Sequence, residues 1–419
     1  MDDAARPHPE PEPPSTTRPA VSLARLLGYF LRLGTIGFGG PIATVGYMQR
    51  DLVEQRGWID RRDFLDGVAL GQTMPGPLAA QVAMWVGYLR RGALGATAVA
   101  AAFIAPSFLI VLALGALYVH YAGLAIVRSL FYGIAPAVMA IITIAAVKLL
   151  KLTDRRDWRL WAISALVFGL TAITGTEPIA VIIVAGLVMI LLDARPRLRR
   201  ARRGSSRGAQ HDDDDDVHDR GGWVGAVPLV VPHPTFGAVT ATAVGSGALA
   251  ALGLFFFKTG AIVFGSGLAI VPFLREGVVD QHHWLSEPQF LDAVAVGLIT
   301  PGPIVITAGF IGYLVAGFSG AVVATLAIFT PIYLGVVVPG RWFLRHRDNR
   351  QIKASVSGAT AAAAGALAGA VVVLTRQAVT DLVTALIALG ALLALWRFKL
   401  KEPYLVVAAG VIGILLHAT

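Results

Sequence analysis

The sequence predicts an all-α polytopic membrane protein made of two homologous halves in inverted orientation. Three observations carry that expectation. Mean hydropathy is +0.68, with 56% hydrophobic and only 15% charged residues, where soluble domains carry roughly 25% charged. Many apolar runs approach the ~20 residues needed to cross a ~30 Å hydrocarbon core. Sliding the chain on itself by 226 residues aligns Gly34–Pro77 with Gly260–Pro303 and gives 18 identities in 44 ungapped columns.

Taken in order, residues 1–20 are proline-rich and polar, with no basic region leading into an apolar one. They read as a disordered tail rather than a signal peptide. The first half spans residues 21–194. It opens on an apolar segment, Val21–Met48, interrupted by the glycine-rich Gly34–Pro41, and continues through a polar loop, Arg50–Phe64. Apolar segments then cover Asp66–Leu89, Ala93–Val119, Leu124–Leu150, Leu160–Thr176 and Glu177–Leu192. Residues 195–235 break the composition with PRLRRARRGSSRG, then HDDDDD, then a proline-rich end. Such a stretch has too little apolar area to bury and reads as a solvated cytoplasmic linker. Its acidic, histidine-bearing run reads as a charged tether, with cation binding as the sharper alternative. The second half, residues 236–419, holds Gly237–Phe273, Ala293–Val315, Gly317–Pro339, Ala354–Thr375, Leu382–Trp396 and Pro403–His417.

The repeat is carried by residues that greasiness alone does not explain. It pairs Phe38 with Phe264, Gln55 with Gln281, Trp58 with Trp284, Asp66 with Asp292, and Pro75-Gly76-Pro77 with Pro301-Gly302-Pro303. After a one-residue deletion it continues to Pro106 and Pro331. Glu177 and Arg128 show no mate in this reading. Loop charge sets orientation through the positive-inside rule. The most basic connections are Lys148–Arg159, Arg195–Arg207, Arg341–Lys353 and Arg397–Lys401. With all four cytoplasmic, the loop near His120 is external and its mate near Arg345 is internal, so the halves are inverted. About ten crossings, five plus five, satisfy this when each glycine-broken first segment is re-entrant. Twelve crossings compete.

Several residues offer chemistry. The two P-G-P motifs cannot sit inside plain helices, because proline removes an N–H and clashes with the preceding turn. Paired breaks at matching places in two halves are the mark of a secondary-transporter site. Arg32 and Lys258 occupy matching positions within apolar segments, where a basic side chain is costly unless it faces a cavity or snorkels. Gly37, Gly39 and Gly40, and Gly265, Ser266 and Gly267, are candidate backbone nests for an anion. Thr73 and Thr300 flank the breaks and offer neutral hydrogen bonds. Asp66 and Asp292 read as helix-starting acids, with proton coupling as the sharper reading.

Absent motifs narrow the classes. The chain has no cysteine, which excludes disulfides and thiolate chemistry. It has no GxxxxGK[ST] for nucleotide, and its basic residues form loop clusters rather than a nucleic-acid surface. No cofactor or metal is expected. A membrane-embedded enzyme would want clustered His, Asp and Glu at a membrane face, so a transporter is preferred to an enzyme.

The run FGGP, then WI…F…G…MPGPLA, then FGSG and TPGP, resembles the chromate ion transporter family in its long two-domain form. The resemblance covers both halves, although Gly267 stands where FGGP has its proline. It implies a multi-pass carrier in the plasma (inner) membrane that exports chromate and confers chromate resistance. Sulfate is the structural analogue, and a carrier for sulfate or another oxyanion is the alternative. It leaves a homodimer open. The family's glycine-rich and P-G-P motifs map onto Phe38–Pro41, Pro75–Pro77, Phe264–Gly267 and Pro301–Pro303, and the repeat-matched cations Arg32 and Lys258 complete the expected site. Such a dianion needs donors and positive potential without inward-facing acids.

Overall fold

The computed structural model describes residues 21–38, 40–121, 124–154, 157–174, 179–193, 246–263, 267–340, 342, 349–398, 400 and 402–417. The expected tail and linker lie outside the described residues, as do Gly39, Gly265 and Ser266 of the glycine motifs. Among the described residues every regular element is helical.

α1 (Leu23–Ile36) starts at Ser22, whose side chain accepts from the Arg25 N–H, and stops at Gly37. α2 (Gly40–Met48) runs on into a π-helical turn, Gln49–Gln55. α3 (Arg61–Thr73) ends at the first P-G-P, and α4 (Leu78–Tyr121) begins beyond it. α5 (Ala125–Asp154), α6 (Trp158–Thr174) and α7 (Ile179–Asp193) follow.

The second half repeats this order. α8 (Ser246–Ile262) leads to a 3₁₀ turn, Gly267–Ala269, α9 (Ile270–Arg275) and a π turn, Glu276–Gln281. α10 (Glu287–Ile299) ends at the second P-G-P, and a 3₁₀ turn, Ile304–Ile306, opens α11 (Thr307–Val337). α12 (Arg350–Ala378), α13 (Leu382–Phe398) and α14 (Glu402–His417) complete the chain. Four helices, Leu78–Tyr121, Ile126–Lys151, Ile304–Val337 and Arg350–Ala378, are long and apolar enough to cross a membrane, and five shorter apolar helices accompany them. The protein is a multi-pass membrane protein.

Local irregularities recur along with the helices. Non-helical backbone kinks α4 at Arg91-Gly92 and α11 at Ala316-Gly317. Each π turn is followed by one left-handed residue, Gly57 (φ 59°) or His283 (φ 51°).

Three sequence readings are corrected here. The polar stretch from Arg50 is not a loop throughout, since Gln49–Gln55 is π-helical and α3 already begins at Arg61. Asp66 and Asp292 do not start their helices; Asp60 and Ser286 do, by accepting from the N–H groups of Arg62 and Gln289. Short oxygen-bearing side chains at that position satisfy the otherwise unpaired N–H groups of a first turn. Arg128 and Glu177 do have mates, because α5 and α12 begin at an offset of 225 that pairs them with Lys353 and Glu402.

The halves are interlocked. α5 packs on α13 and α14, while α12 packs on α6 and α7, and the pairs α4–α11 and α5–α12 meet between them. The contacts are reciprocal, each half's fifth or twelfth helix packing on the last two helices of the other half. Small residues permit the approach. Gly34 faces the Phe103 carbonyl and its mate Gly260 faces the Ile328 carbonyl, so closely that a Cβ would overlap either one. Ser164 of α6 donates to the Ala361 carbonyl of α12 at 2.9 Å, within a fully buried alanine run.

Candidate functional site

The helix breaks of the two halves converge at the centre. The Gly76 N–H donates to the Val263 carbonyl at 2.6 Å, and the Gly302 N–H donates to the Gly37 carbonyl at 3.4 Å. These bonds are repeat mates, each joining a P-G-P glycine to the end of the other half's first helix. Both glycines sit at positive φ, 131° and 98°, which residues with a Cβ adopt only under strain. Ser107 of α4 donates to the Pro301 carbonyl at 2.6 Å. The fully buried Gln81 braces the first break through its amide, which donates to the Pro75 carbonyl at 2.8 Å. Pro77 lies beside Gly267 and Ile304.

Beside this centre opens a cavity of about 500 Å³. Tyr29, Arg32 and Gly37 of the α1 region line it, with Tyr47 of α2, Arg50, Asp51 and Gln55 of the π turn, Arg56 just after it, and Pro403 and Tyr404 of α14. Three guanidinium groups against one carboxylate leave a formal charge of +2, three less one. Arg50 bonds Asp51 at 2.9 Å, and this hydrogen bond holds its guanidinium above its ordinary pKa. Asp51 also accepts from the Tyr29 hydroxyl at 3.4 Å. Arg56 instead lies over two aromatic faces, Tyr29 at 5.3 Å and Trp58 at 4.6 Å. Stacking of this kind fixes a guanidinium plane while leaving its N–H edge available. The cavity therefore offers donors to an anion.

The predicted site residues divide. Arg32 and Gly37 line the cavity. Gly37, Thr300 and Gly302 line a narrow space that continues it inward. Thr73 and Thr300 spend their hydroxyls on the Ala69 and Val296 carbonyls. The N–H groups of Gly37 and Phe38 are taken by the Leu33 and Ile36 carbonyls, so Gly37 presents its carbonyl to the centre. Gly40 opens α2. Asp292 is 8% exposed and accepts from the hydroxyl of Tyr118, on the other half, at 2.7 Å. Asp66 lies inside α3.

Lys258 does not line the cavity. Where the first half has Tyr29, Arg56 and Trp58, the second has Phe255, His282 and Trp284, and these three rings pack on one another. His282 stacks on Trp284 at 4.2 Å, and Phe255 packs edge-on to both. Nearby, buried Arg275 is bonded by Glu287 at 2.7 Å and Asp280 at 2.8 Å. Sequence reasoning missed Arg50, Arg56 and Tyr29 because it sought residues that recur in both halves. Their mates are Glu276, His282 and Phe255. The signal that finds them is the opposite one, a basic residue present in only one copy.

Comparison with known proteins follows the same two-part pattern. The family described as "Chromate transporter" matches residues 24–190 and 250–414. A chromate transport protein of Cupriavidus metallidurans is 45% identical over 415 residues, covering 97% of this chain and 98% of that protein. A probable chromate transport protein of Synechococcus elongatus is 47% identical over 402 residues, covering 95% and 96%. An uncharacterized transporter of Bacillus subtilis is 31% identical over 166 residues, covering 38% of this chain but 91% of that protein. No solved structure matches.

Proposed function

The chain belongs to the chromate transporter family, and on that premise we propose that it exports chromate across the plasma membrane through the arginine cavity. The observation that carries this reading is the cavity's net charge of +2, three arginines less Asp51, set directly beside the crossed helix breaks. Chromate is a tetrahedral dianion with four acceptor oxygens, matched by convergent guanidinium donors.

Pro403 and Tyr404 of the cavity wall directly follow the basic Arg397–Lys401 segment, which the positive-inside rule assigns to the cytoplasm. The cavity then faces the cytoplasm, and the aromatic plug of the second half faces outward. Halves 21–194 and 236–419 form the inverted repeat, five crossings each, joined by the linker at 195–235. Transport exchanges the open and filled conformations of the two halves, so that Lys258 takes the place of Arg32 on the outer side. Asp292 and Tyr118 hold the outer side shut. Export is downhill in an inside-negative potential, at about 2.3 kcal/mol per charge per 100 mV.

Two expected results test this. Inside-out vesicles carrying the protein should accumulate labelled chromate, with excess sulfate as competitor; no accumulation above empty vesicles sinks the proposal. For topology, single cysteines at Tyr121 and Asn349 of this cysteine-free chain should react with an impermeant maleimide from opposite sides. Labelling of both from one side removes the inverted repeat.

A further inference from the structure

A neck of about 10 Å³ adjoins the arginine cavity, room for roughly one water. The neck shares Gly37, Phe38 and Pro403 with the cavity and reaches Thr300 and Gly302 at the second helix break. One charged side chain, Glu402, stands in its wall. We propose that Glu402 is a proton-operated gate on the anion path, a role that presupposes the arginine cavity as the oxyanion entrance.

Glu402 is the first residue of α14, where an acid complements the positive end of a helix. That accounts for a carboxylate at this position but not for one facing the neck. Glu402 is partly buried, and among the described residues no hydrogen bond or ion pair is made to its carboxylate. The elements packed on α14 are α5, α10 and α13. From α5, Lys148 is the charged group that faces it. α10 carries Asp292, engaged by Tyr118, and α13 carries Arg397, which lies over Phe398, so that Lys148 is the charged group set against Glu402. Glu402 is thus the acid beyond the three arginines.

The position recurs. Glu402-Pro403 is matched by Glu177-Pro178 at the repeat offset of 225.

The physics gives the gate a direction. Arginines draw the dianion into the cavity, while an ionised Glu402 repels it at the neck, where low dielectric strengthens the like-charge interaction. A proton on the carboxyl removes the charge and turns it into a hydrogen-bond donor to the oxyanion. The anion path is therefore passable only with Glu402 protonated, which links oxyanion movement to protons.

The test uses the full chain in inside-out vesicles, with labelled chromate and the pH on the cavity side stepped from about 8 to about 6. The parent's flux should rise at least about tenfold, following the protonated fraction of one carboxyl over two pH units. Glu402→Gln, a mimic of the protonated acid, should show no such rise over the same step, and Glu402→Asp should keep the parent's response. Chromate itself takes up protons in this range, so parent and variant are compared at each pH. Equal pH responses in the parent and Glu402→Gln overturn the gate. So does a Glu402→Gln protein that inserts and binds chromate but carries none at either pH. Should Glu402→Gln fail to insert, Glu402→Ala carries the same expectation. A parent that moves no chromate at all overturns the transport reading instead, and the two failures are distinct.

Discussion

Arg32→Gln and Arg56→Gln should each weaken chromate binding about tenfold to a hundredfold, since a hydrogen bond to a charged group contributes roughly 1.5–3 kcal/mol. Both line the same cavity, and neither side chain is hydrogen-bonded or ion-paired to a carboxylate among the described residues. Two groups on one ligand should couple, so the double variant is expected to depart from additivity. Arg50→Gln should cost less, because Arg50 is already bonded to Asp51 at 2.9 Å. Lys258→Gln should leave affinity from the cytoplasmic side nearly unchanged, since Lys258 lies outside the cavity. Arg56→Lys should fail to restore affinity, because an ammonium loses the planar stack on Tyr29 and Trp58. Half-saturation of chromate flux in inside-out vesicles reads all of these. Values within about twofold of the parent for both Arg32→Gln and Arg56→Gln would falsify the cavity as the binding site.

A larger loss is expected from Gly302→Val. The backbone there is at φ 98°, a Cβ would overlap the Ser107 hydroxyl, and the N–H is engaged by the Gly37 carbonyl of the other half. Strained backbone alone costs about 1–3 kcal/mol, and the overlap adds to it at the point where the halves cross. Transport should fall more than about a hundredfold and thermal stability should drop with it. Gly76→Val should behave likewise, with φ at 131° and Ile332 and the Gln81 amide each 3.0 Å from the new Cβ. Gly28→Ala serves as the control, because no atom lies within 4 Å of its Cβ position. Adding Ser107→Gly to Gly302→Ala removes the clash but not the strain, so partial recovery is expected. Full activity of Gly302→Val would mean that the crossed breaks do not form the functional centre.

Much of this architecture is legible from residue patterns. The all-helical membrane class follows from hydropathy, and the breaks follow from the chemistry of proline. The duplication follows from recurring Phe, Gln, Trp and Asp at one spacing. Asp292 was legible as a position but not in its role, because its partner Tyr118 lies 174 residues away in the other half. The pairing of Glu177 with Glu402 keeps the offset of 225 reached at Pro106 and Pro331, and the shared starts of α5 and α12 carry that register into the later helices.

What the sequence by itself determined is the repeat: which helices exist, where they break, and which breaks correspond. These are local properties, set by side-chain volume, backbone freedom and transfer energy along a few turns of chain. What only the tertiary structure decided is how the copies differ. Tyr29 and Arg56 line a cationic cavity, with Arg56 stacked on Trp58, while their mates Phe255, His282 and Trp284 pack on one another. Repeat reasoning searches for sameness, whereas the cavity is lined by residues in which the copies differ. That difference arises from which rings stack and from the meeting of Arg32 of α1, Arg50 and Arg56 around the π turn, and Tyr404 of α14, contacts between residues distant in the chain.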